Sequence, residues 1–306
     1  MGVRGALCSV RRMIVPLVLV LGCAESTPRP KVLLIGLDGV RVDILAQANT
    51  PNIDALAEGG LFSDQAWTGE ETVSGPGWSS MVIGVWADKH GVHNNDFREN
   101  VYLQYPDFLS RLEQVDSTFN TFAVLDWPPL GEPVDGGPLF SDAIDVKVTF
   151  DGEEMGYDVA DSLSVIAAVE HLTNADPDAA FVYIGYIDIV GHDTSSLDPL
   201  YLAAIEAADV QVGQLIAAVR DRASYRDENW LILMSTDHGR SDNGGHGGQS
   251  LEERTIFYLA SGSTPDSLPG IDRPDGPFVV DVAVTALDHL GVAIEPAWEL
   301  DGTVRR

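Results

Sequence analysis

Cysteine is nearly absent from this chain. Only Cys8 and Cys23 occur among its 306 residues, and both belong to the N-terminal segment. The rest of the chain therefore has no disulfide, no thiolate metal ligand and no cysteine nucleophile. Any metal ion bound there must be held by oxygen atoms and imidazole nitrogens.

Basic residues are also scarce. The chain has 18 lysines and arginines against 47 aspartates and glutamates, which gives a formal net charge of −29. This balance excludes extended contact with duplex nucleic acid or with an anionic lipid surface, because both would repel the protein. A small anionic substrate would need local positive charge, and bound metal ions are one way to supply it.

The apolar run at residues 13–21 is too short to span a bilayer, and three arginines precede it. This order is typical of a secretory signal. The tetrapeptide VLGC that ends at Cys23 resembles a bacterial lipobox, which implies a lipoprotein-type signal peptide over 1–23 and a lipid anchor on Cys23 as the sole membrane contact. The expected location is the exported side of a membrane, periplasmic or at the cell surface. The alternative is an ordinary signal peptide or an uncleaved anchor.

The rest of the chain alternates strand and helix patterns. A proline-rich stretch at 24–30 predicts a linker, and 31–306 is predicted to form one domain. Continuous apolar runs are typical of strands buried on both faces, and they lie at 31–39, 122–127, 179–188 and 229–237. Three of the four predicted strands end in LD, ID or TD. Helical patterns between them predict an α/β protein with a mainly parallel sheet covered on both faces.

Parallel sheets bind ligands beyond the carboxyl ends of their strands, and three aspartates are expected at that edge. They are Asp38, Asp188 and Asp237. His192 follows Asp188 by four residues, and the stretch DHGRSDNGGHGG places His238 and His246 in a loop that glycine allows to fold back. Carboxylates and imidazoles are residue types that hold metal ions. Residues 128–158, rich in glycine, proline and aspartate, are expected to form an irregular excursion over this edge.

Ser74 stands at the predicted start of a helix, in the stretch TVSGPGWSSMVIGV. Backbone N–H groups and the helix dipole at such a position favour an anion or an alkoxide. The alternative is that Ser74, or Thr72 before it, serves only as the helix N-cap.

Together these stretches resemble the alkaline phosphatase superfamily, in particular its type I phosphodiesterase and nucleotide pyrophosphatase branch. The resemblance rests on the first strand with Asp38, the Ser74 helix ending in HGV, then DIVGH, STDHG, GGHGG and the C-terminal WELDG. It implies an alkaline phosphatase-like three-layer sandwich as the catalytic domain. It also implies a metal-dependent phosphohydrolase that cleaves phosphodiester or nucleotide pyrophosphate bonds in a small-molecule phosphate ester.

The resemblance further implies a two-metal site. One divalent ion would be held by Asp188, His192 and His246, and the other by Asp38, Asp237, His238 and the Ser74 oxygen. This donor set suits Zn²⁺, with Mn²⁺ as the alternative. Ser74 would act as the nucleophile through a covalent phosphoserine, and Asn95, or its neighbour Asn94, would donate to a non-bridging phosphoryl oxygen.

The same superfamily offers alternative functions. Sulfatases carry an arginine after the nucleophile and proline, and SGPGW has Trp78 at that position. The DHG…GHG spacing is similar to that of ethanolamine-phosphate transferases. Lys89, Arg98 or Arg240 would favour a phosphomonoester if one of them reached the site. A non-enzymatic surface binding module is the remaining alternative, in which the aspartates only solvate the protein.

Structural roles are predicted for three of the remaining histidines and for three tryptophans. The histidines, which fall in helical patterns or at a helix end, are His90, His171 and His289, whereas His93 could face the pocket. The tryptophans, for which stacking on a substrate ring is the alternative to core packing, are Trp67, Trp86 and Trp127.

Overall fold

The computed structural model describes residues 1–3, 5, 27–262 and 276–305. Most of the predicted signal peptide, including the lipid site at Cys23, lies outside the described residues, so the predicted lipid anchor stays a prediction. The first strand begins at Arg29, within the predicted linker, because Arg29 pairs in register with Glu228 of a neighbouring strand.

Seven strands form one sheet in the described part of the chain. They are β1 (Arg29–Leu37), β2 (Gly60–Trp67), β3 (Thr121–Leu125), β4 (Val146–Thr149), β5 (Ala179–Ile184), β6 (Glu228–Ser235) and β7 (Thr255–Gly262). Their order is β2-β7-β6-β1-β5-β3-β4. The pairs from β6 across to β4 are parallel, whereas β7 runs antiparallel to both β6 and β2. The prediction of a mainly parallel sheet is confirmed.

Helices connect these strands. They are α1 (Val42–Leu45), α2 (Pro51–Glu58), α3 (Ser74–Ile83), α4 (Ala87–His90), α5 (Phe108–Val115), α6 (Pro128–Gly131), α7 (Gly152–Met155), α8 (Tyr157–Asn174), α9 (Tyr186–Asp193), α10 (Pro199–Arg220), α11 (Leu251–Arg254) and α12 (Asp281–His289). Short 3₁₀ turns lie at Phe97–Glu99, Tyr225–Asp227 and Pro296–Trp298.

Side chains alternate across β1 and divide the core into two clusters. Val32 and Leu34 join the cluster under α3, α5 and α12, whereas Leu33 and Ile35 join the cluster under α2, α8 and α10. All four side chains are fully buried, which accounts for the continuous apolar run in the sequence. Helices therefore cover both faces of the sheet, and the three-layer α/β sandwich is confirmed.

Helix α10 has the length and composition of a membrane span, with a mean hydropathy of 1.4. Tyr201, Ile205 and Val212 lie on its buried face, against the same cluster as Leu33. The apolar character of α10 is thus explained by packing on the sheet.

The expectation of an irregular excursion at 128–158 is wrong in part. Within it, β4 pairs in parallel with β3 and forms one edge of the sheet. The sequence did not indicate this strand because β4 has only four residues, and as an edge strand it stays partly exposed and has no continuous apolar run.

Candidate active site

The carboxyl ends of β1, β5 and β6 meet at one edge, and an aspartate follows each of them. Asp38 follows β1 directly, Asp237 follows β6, and Asp188 lies in the first turn of α9, just beyond β5. Gly39 has a φ of +65°, and a Cβ there would lie 2.5 Å from Asp188 Oδ1. Only glycine at this position lets the β1 end approach Asp188 so closely.

Asp38 and Asp237 each have one carboxylate oxygen that accepts hydrogen bonds and one that does not. Asp38 Oδ2 accepts hydrogen bonds from Tyr183 Oη at 2.5 Å and Trp78 Nε1 at 2.9 Å. Asp237 Oδ1 accepts from the N–H of Gly39 at 3.1 Å. The other oxygens, Asp38 Oδ1 and Asp237 Oδ2, are buried and have no hydrogen-bond partner among the described residues. Such oxygens require a cation or a proton.

His238 and His246 are both oriented by backbone carbonyls. Nδ1 of His238 lies 2.9 Å from the carbonyl oxygen of Gly239, and Nδ1 of His246 lies 2.9 Å from that of Thr72. A carbonyl only accepts, so each Nδ1 carries the proton and donates it. Each Nε2 then presents a lone pair to the site, which is how a metal-ligating histidine is held.

His192 lies at the exposed mouth of the same cluster. Its Nε2 is 3.3 Å from Asp188 Oδ2 and 2.9 Å from His246 Nε2. The ligand atoms form two groups within 4.8 Å, and these are Asp38, Asp237 and His238, and Asp188, His238 and His246. His238 thus belongs to both groups. His192 belongs to neither group and reaches the cluster through its contacts with Asp188 and His246. The predicted ligands are therefore neighbours, but their division between two ions is less sharp than expected.

The electrostatics of the cluster fit a cation. Burial and, after it, the negative charge of Asp188 raise the pKa of Asp38 to about 8. Burial also raises the pKa of Asp237 and lowers that of His238. For Asp188 burial acts in the same direction as for Asp38, yet the hydrogen bond with His192 and the charge of Arg240 bring its pKa below the usual value. Without added positive charge, Asp38 and Asp237 retain protons that a divalent ion would displace.

Ser74 is the first residue of α3, and it is not the N-cap. Val73 occupies the cap position without a side-chain hydrogen bond, so the N-cap alternative for Ser74 is wrong. Ser74 Oγ instead lies 3.2 Å from His238 Nε2, in hydrogen-bond reach of that lone pair. Thr72 supports the glycine loop, since its hydroxyl donates to the carbonyl of Gly248 and accepts from the N–H of Gly247.

Asn95 and Asn94 have different surroundings. Asn95 lines the pocket above Ser74, and its Oδ1 accepts from the N–H of Gly75 at 2.8 Å. Asn94 turns back and caps its own loop by accepting from the N–H of Asp96 at 2.6 Å. Of the two, Asn95 is therefore the residue that stands at the site.

The pocket has a volume of about 260 Å³. Besides the predicted residues it is lined by Trp127, Glu153, Tyr157 and Ile189, together with Tyr183 and Gly185. Trp67 and Trp86 line a separate groove of about 1400 Å³ that contains none of the predicted ligands. Of the three candidate tryptophans, only Trp127 faces the ligand cluster.

Arg240, one of three basic residues that the sequence offered as a charge for a phosphomonoester, supports the site instead. It is fully buried, and its guanidinium donates to Asp188 Oδ1 at 2.6 Å and to the carbonyl of Gly244 at 2.8 Å. A Cβ on Gly191 would lie 2.5 Å from Arg240 Nε, so only glycine leaves room for this side chain. Arg240 therefore braces Asp188 from behind and ties α9 to the glycine loop.

Asp161 is a second residue that sequence reasoning missed. It lies in α8 and accepts hydrogen bonds from the N–H groups of Gly185 and Tyr186, at 2.8 and 3.2 Å. These N–H groups begin α9, which carries Asp188 and His192. No local motif relates an aspartate in one helix to the start of the next, so the sequence gives no signal for this role.

The other basic and histidine candidates lie away from the pocket. Lys89 pairs with Asp301 at 2.5 Å, and the exposed Arg98 pairs with Asp96 at 2.8 Å. Buried His90 bonds to Ser80 Oγ at 3.0 Å. The remaining three histidines have contacts outside the site, and they are His93 with Glu71, His171 stacked on Phe122, and His289 on the carbonyl of Asn229.

Structural comparison identifies the fold class. Murine ectonucleotide pyrophosphatase/phosphodiesterase 5 superposes with a TM-score of 0.66 at 16% identity, covering 89% of this chain and 97% of that one. An inactive variant of the same murine protein has been solved in complex with AMP. A 2-O-glycosaminoglycan sulfatase superposes with a TM-score of 0.64 at 17% identity, covering 90% and 73%. These likenesses show the alkaline phosphatase-like fold.

Sequence comparison identifies the family. Residues 32–253 match the family described as type I phosphodiesterase/nucleotide pyrophosphatase, and the chain belongs to it. Human ectonucleotide pyrophosphatase/phosphodiesterase family member 5 is 26% identical over 234 residues, which cover 74% of this chain and 46% of the human protein. The chain spans less than half the length of three of the curated relatives that it matches.

Proposed function

We propose that this protein is a metal-dependent phosphohydrolase that cleaves phosphodiester or nucleotide pyrophosphate bonds, with Ser74 as its nucleophile. The observation that carries the proposal is the position of Ser74 Oγ, at the N-terminus of α3 and 3.2 Å from His238 Nε2. Membership of the phosphodiesterase family supports the reaction class. The AMP complex of the murine relative supports a small phosphate ester as the substrate.

The donor atoms fit two divalent cations. One would be held by Asp38, Asp237, His238 and Ser74, and the other by Asp188, His192 and His246. Three imidazoles with three carboxylates favour Zn²⁺, and Mn²⁺ is the alternative. Bound ions would supply positive charge to the attacking and leaving oxygens and favour the deprotonated hydroxyl of Ser74.

Ser74 and Asn95 would have different roles in the two steps of the reaction. Ser74 Oγ forms a bond to phosphorus while the bond from phosphorus to the leaving oxygen breaks, and the leaving group takes a proton from solvent. Water next cleaves the phosphoserine, which releases a phosphomonoester and restores the Ser74 hydroxyl. Asn95, whose Oδ1 is held by the N–H of Gly75, donates through Nδ2 to a non-bridging oxygen.

Two alternative activities have less support. A phosphomonoesterase would need a free basic group at the pocket, and Arg240 is already bonded to Asp188. A sulfatase would need an arginine where this chain has Trp78, which is fully buried and donates to Asp38. Phosphodiester cleavage needs neither group.

The test compares three aryl esters that share one leaving group, a phosphodiester, a phosphomonoester and a sulfate. We expect the highest kcat/KM for the diester in the protein loaded with Zn²⁺ or Mn²⁺. Ser74→Ala should abolish turnover and keep bound metal and fold, whereas Ser79→Ala, in the same helix but bonded to Tyr102, should retain activity. Acid quenching should trap a phosphorylated Ser74 peptide, and activity in Ser74→Ala would reject the nucleophile assignment.

We also propose that the protein is exported and tethered to a membrane by a lipid on Cys23. The support is the arginine-rich start, the short apolar run at 13–21 and the lipobox-like VLGC. Mass spectrometry of the N-terminal peptide should find a diacylglyceryl group on Cys23. A free thiol on an uncleaved chain would reject the proposal.

A further inference from the structure

The pocket has a second wall that takes no part in the proposed chemistry. Trp127 follows β3, Glu153 lies in α7, Tyr157 begins α8, and Ile189 lies in α9. Trp127 is packed edge-on against Phe97, with ring centroids 5.6 Å apart, so its ring is held in place. A phosphodiester bound at Ser74 has two ester groups, and this wall is positioned to contact one of them.

The charge of the second wall is negative. No lysine or arginine lines the pocket within the described ranges. Arg240 lies behind the site and donates to Asp188, while Arg98 is paired with Asp96 and Asp135 outside it. An additional anionic group on the substrate would therefore find no cationic partner on this wall.

Glu153 supplies the negative charge of that wall. It is an exposed carboxylate at the rim, and it forms no ion pair with any residue in the described part of the chain. Its neighbours in the pocket are the rings of Trp127 and Tyr157, whose faces carry partial negative charge and attract cations. The carboxylate and the rings thus act in the same direction, because they disfavour an anion and tolerate a neutral or cationic group.

We propose that Glu153 is a specificity-determining residue that selects phosphodiesters by the charge of the ester group that remains on phosphorus. Groups that are uncharged or cationic are accepted, and groups that carry a further negative charge are rejected. This inference rests on the proposed phosphodiesterase function and names the substrate class of the same pocket.

The test uses aryl phosphodiesters with one common leaving group and different retained groups. The probes are the ethyl ester, the 2-aminoethyl ester and the 2-carboxyethyl ester, assayed by kcat/KM with the metal-loaded protein. We expect the ethyl and aminoethyl esters to exceed the carboxyethyl ester by about tenfold, as one like charge at an exposed site would give. The preference should shrink in high salt, which screens exposed charges.

Substitutions at the rim distinguish the effect of Glu153 from that of the overall negative charge of the protein. Glu153→Gln should reduce the preference against the carboxyethyl ester to about twofold, and Glu153→Lys should reverse it. Glu154→Gln removes the same charge one residue away, outside the pocket lining, and should leave the preference unchanged. The effect should lie in KM more than in kcat, because Glu153 does not touch the reacting atoms in this arrangement.

The outcomes distinguish the role of Glu153 from the proposed phosphodiesterase function. Turnover of all three diesters without charge preference, or an equal effect of Glu153→Gln and Glu154→Gln, would overturn the role of Glu153 and leave the phosphodiesterase assignment standing. Turnover of none of the diesters would overturn the proposed function and this inference with it.

Discussion

Arg240→Met tests whether this buried arginine braces Asp188. The wild-type guanidinium is fully buried and donates to Asp188 Oδ1 at 2.6 Å and to the carbonyls of Asp188 and Gly244. Removal of one partner of a buried ion pair costs about 3–5 kcal/mol, because the other charge is left uncompensated. For a domain of this size the melting temperature should fall by on the order of 10 °C.

Bound metal should reverse much of this loss. Without the guanidinium, the negative charge of Asp188 is no longer compensated, and a divalent ion can take that role. Zn²⁺ or Mn²⁺ should therefore raise the melting temperature of Arg240→Met more than that of the wild type. Arg41→Met is the matched control, since Arg41 is also buried but pairs with Asp43 and Asp242, which are mostly exposed. The free energy of unfolding of Arg41→Met should fall by at most about 1 kcal/mol.

The assay is thermal unfolding followed by circular dichroism, with chelator and then with added ion. Equal melting temperatures for Arg240→Met and Arg41→Met in chelator would refute the bracing role. An equal metal-induced shift in wild type and Arg240→Met would refute the electrostatic link to the metal site.

Three further predictions concern the supports of the site. Asp161→Ala should lower the free energy of unfolding by about 1–2 kcal/mol, because the cap on α9 is lost. Calorimetry should also find weaker metal binding, and an unchanged affinity would contradict this role. Burial lowers the pKa of His90 to about 3, so the unfolded chain binds more protons between pH 6.5 and 3, and stability should fall by about 2 kcal/mol from pH 7 to pH 5. In His90→Gln, the free energy of unfolding measured with urea should no longer show this fall between pH 7 and pH 5. An unchanged pH dependence would count against the role of His90. Gly39→Ala should lose metal affinity by displacing Asp188, whereas Gly291→Ala, with a φ of +77° and nothing within 4 Å of its Cβ, should show only the backbone strain of about 1–2 kcal/mol.

The strand-end aspartates could be predicted because their signal is local. A buried parallel strand reads as an apolar run, and the residue that follows it must lie at the ligand-binding edge, which placed Asp38 and Asp237. The glycines around His246 indicated a loop that folds back, and the structure has that loop against Thr72. These inferences needed no knowledge of long-range contacts.

The supporting residues could not be predicted because their signals are non-local. An arginine in a polar, glycine-rich loop is typical of the surface, and Arg240 is buried only because Gly191, far away in sequence, leaves space for its guanidinium. The cap from Asp161 depends on how α8 packs beside α9. Likewise, the position of His238 in both ligand groups follows from the stacking of its ring on His246, with centroids 3.9 Å apart.

The charges of the site account for how so acidic a protein would bind the anionic substrate proposed for it. Once bound ions displace the protons of Asp38 and Asp237, these two carboxylates with Asp188 and Arg240 would carry two net negative charges, the histidines being neutral. In the proposed two-metal site, one divalent ion would cancel these charges and a second would make the site positive, so the doubly loaded protein would attract a phosphodiester most strongly. Substrate affinity should therefore rise steeply with the second ion. The hydrogen bonds to one oxygen of Asp38 and one of Asp237 leave the other oxygen of each free and hold the carboxylate in place, so the donor atoms would be oriented before an ion binds.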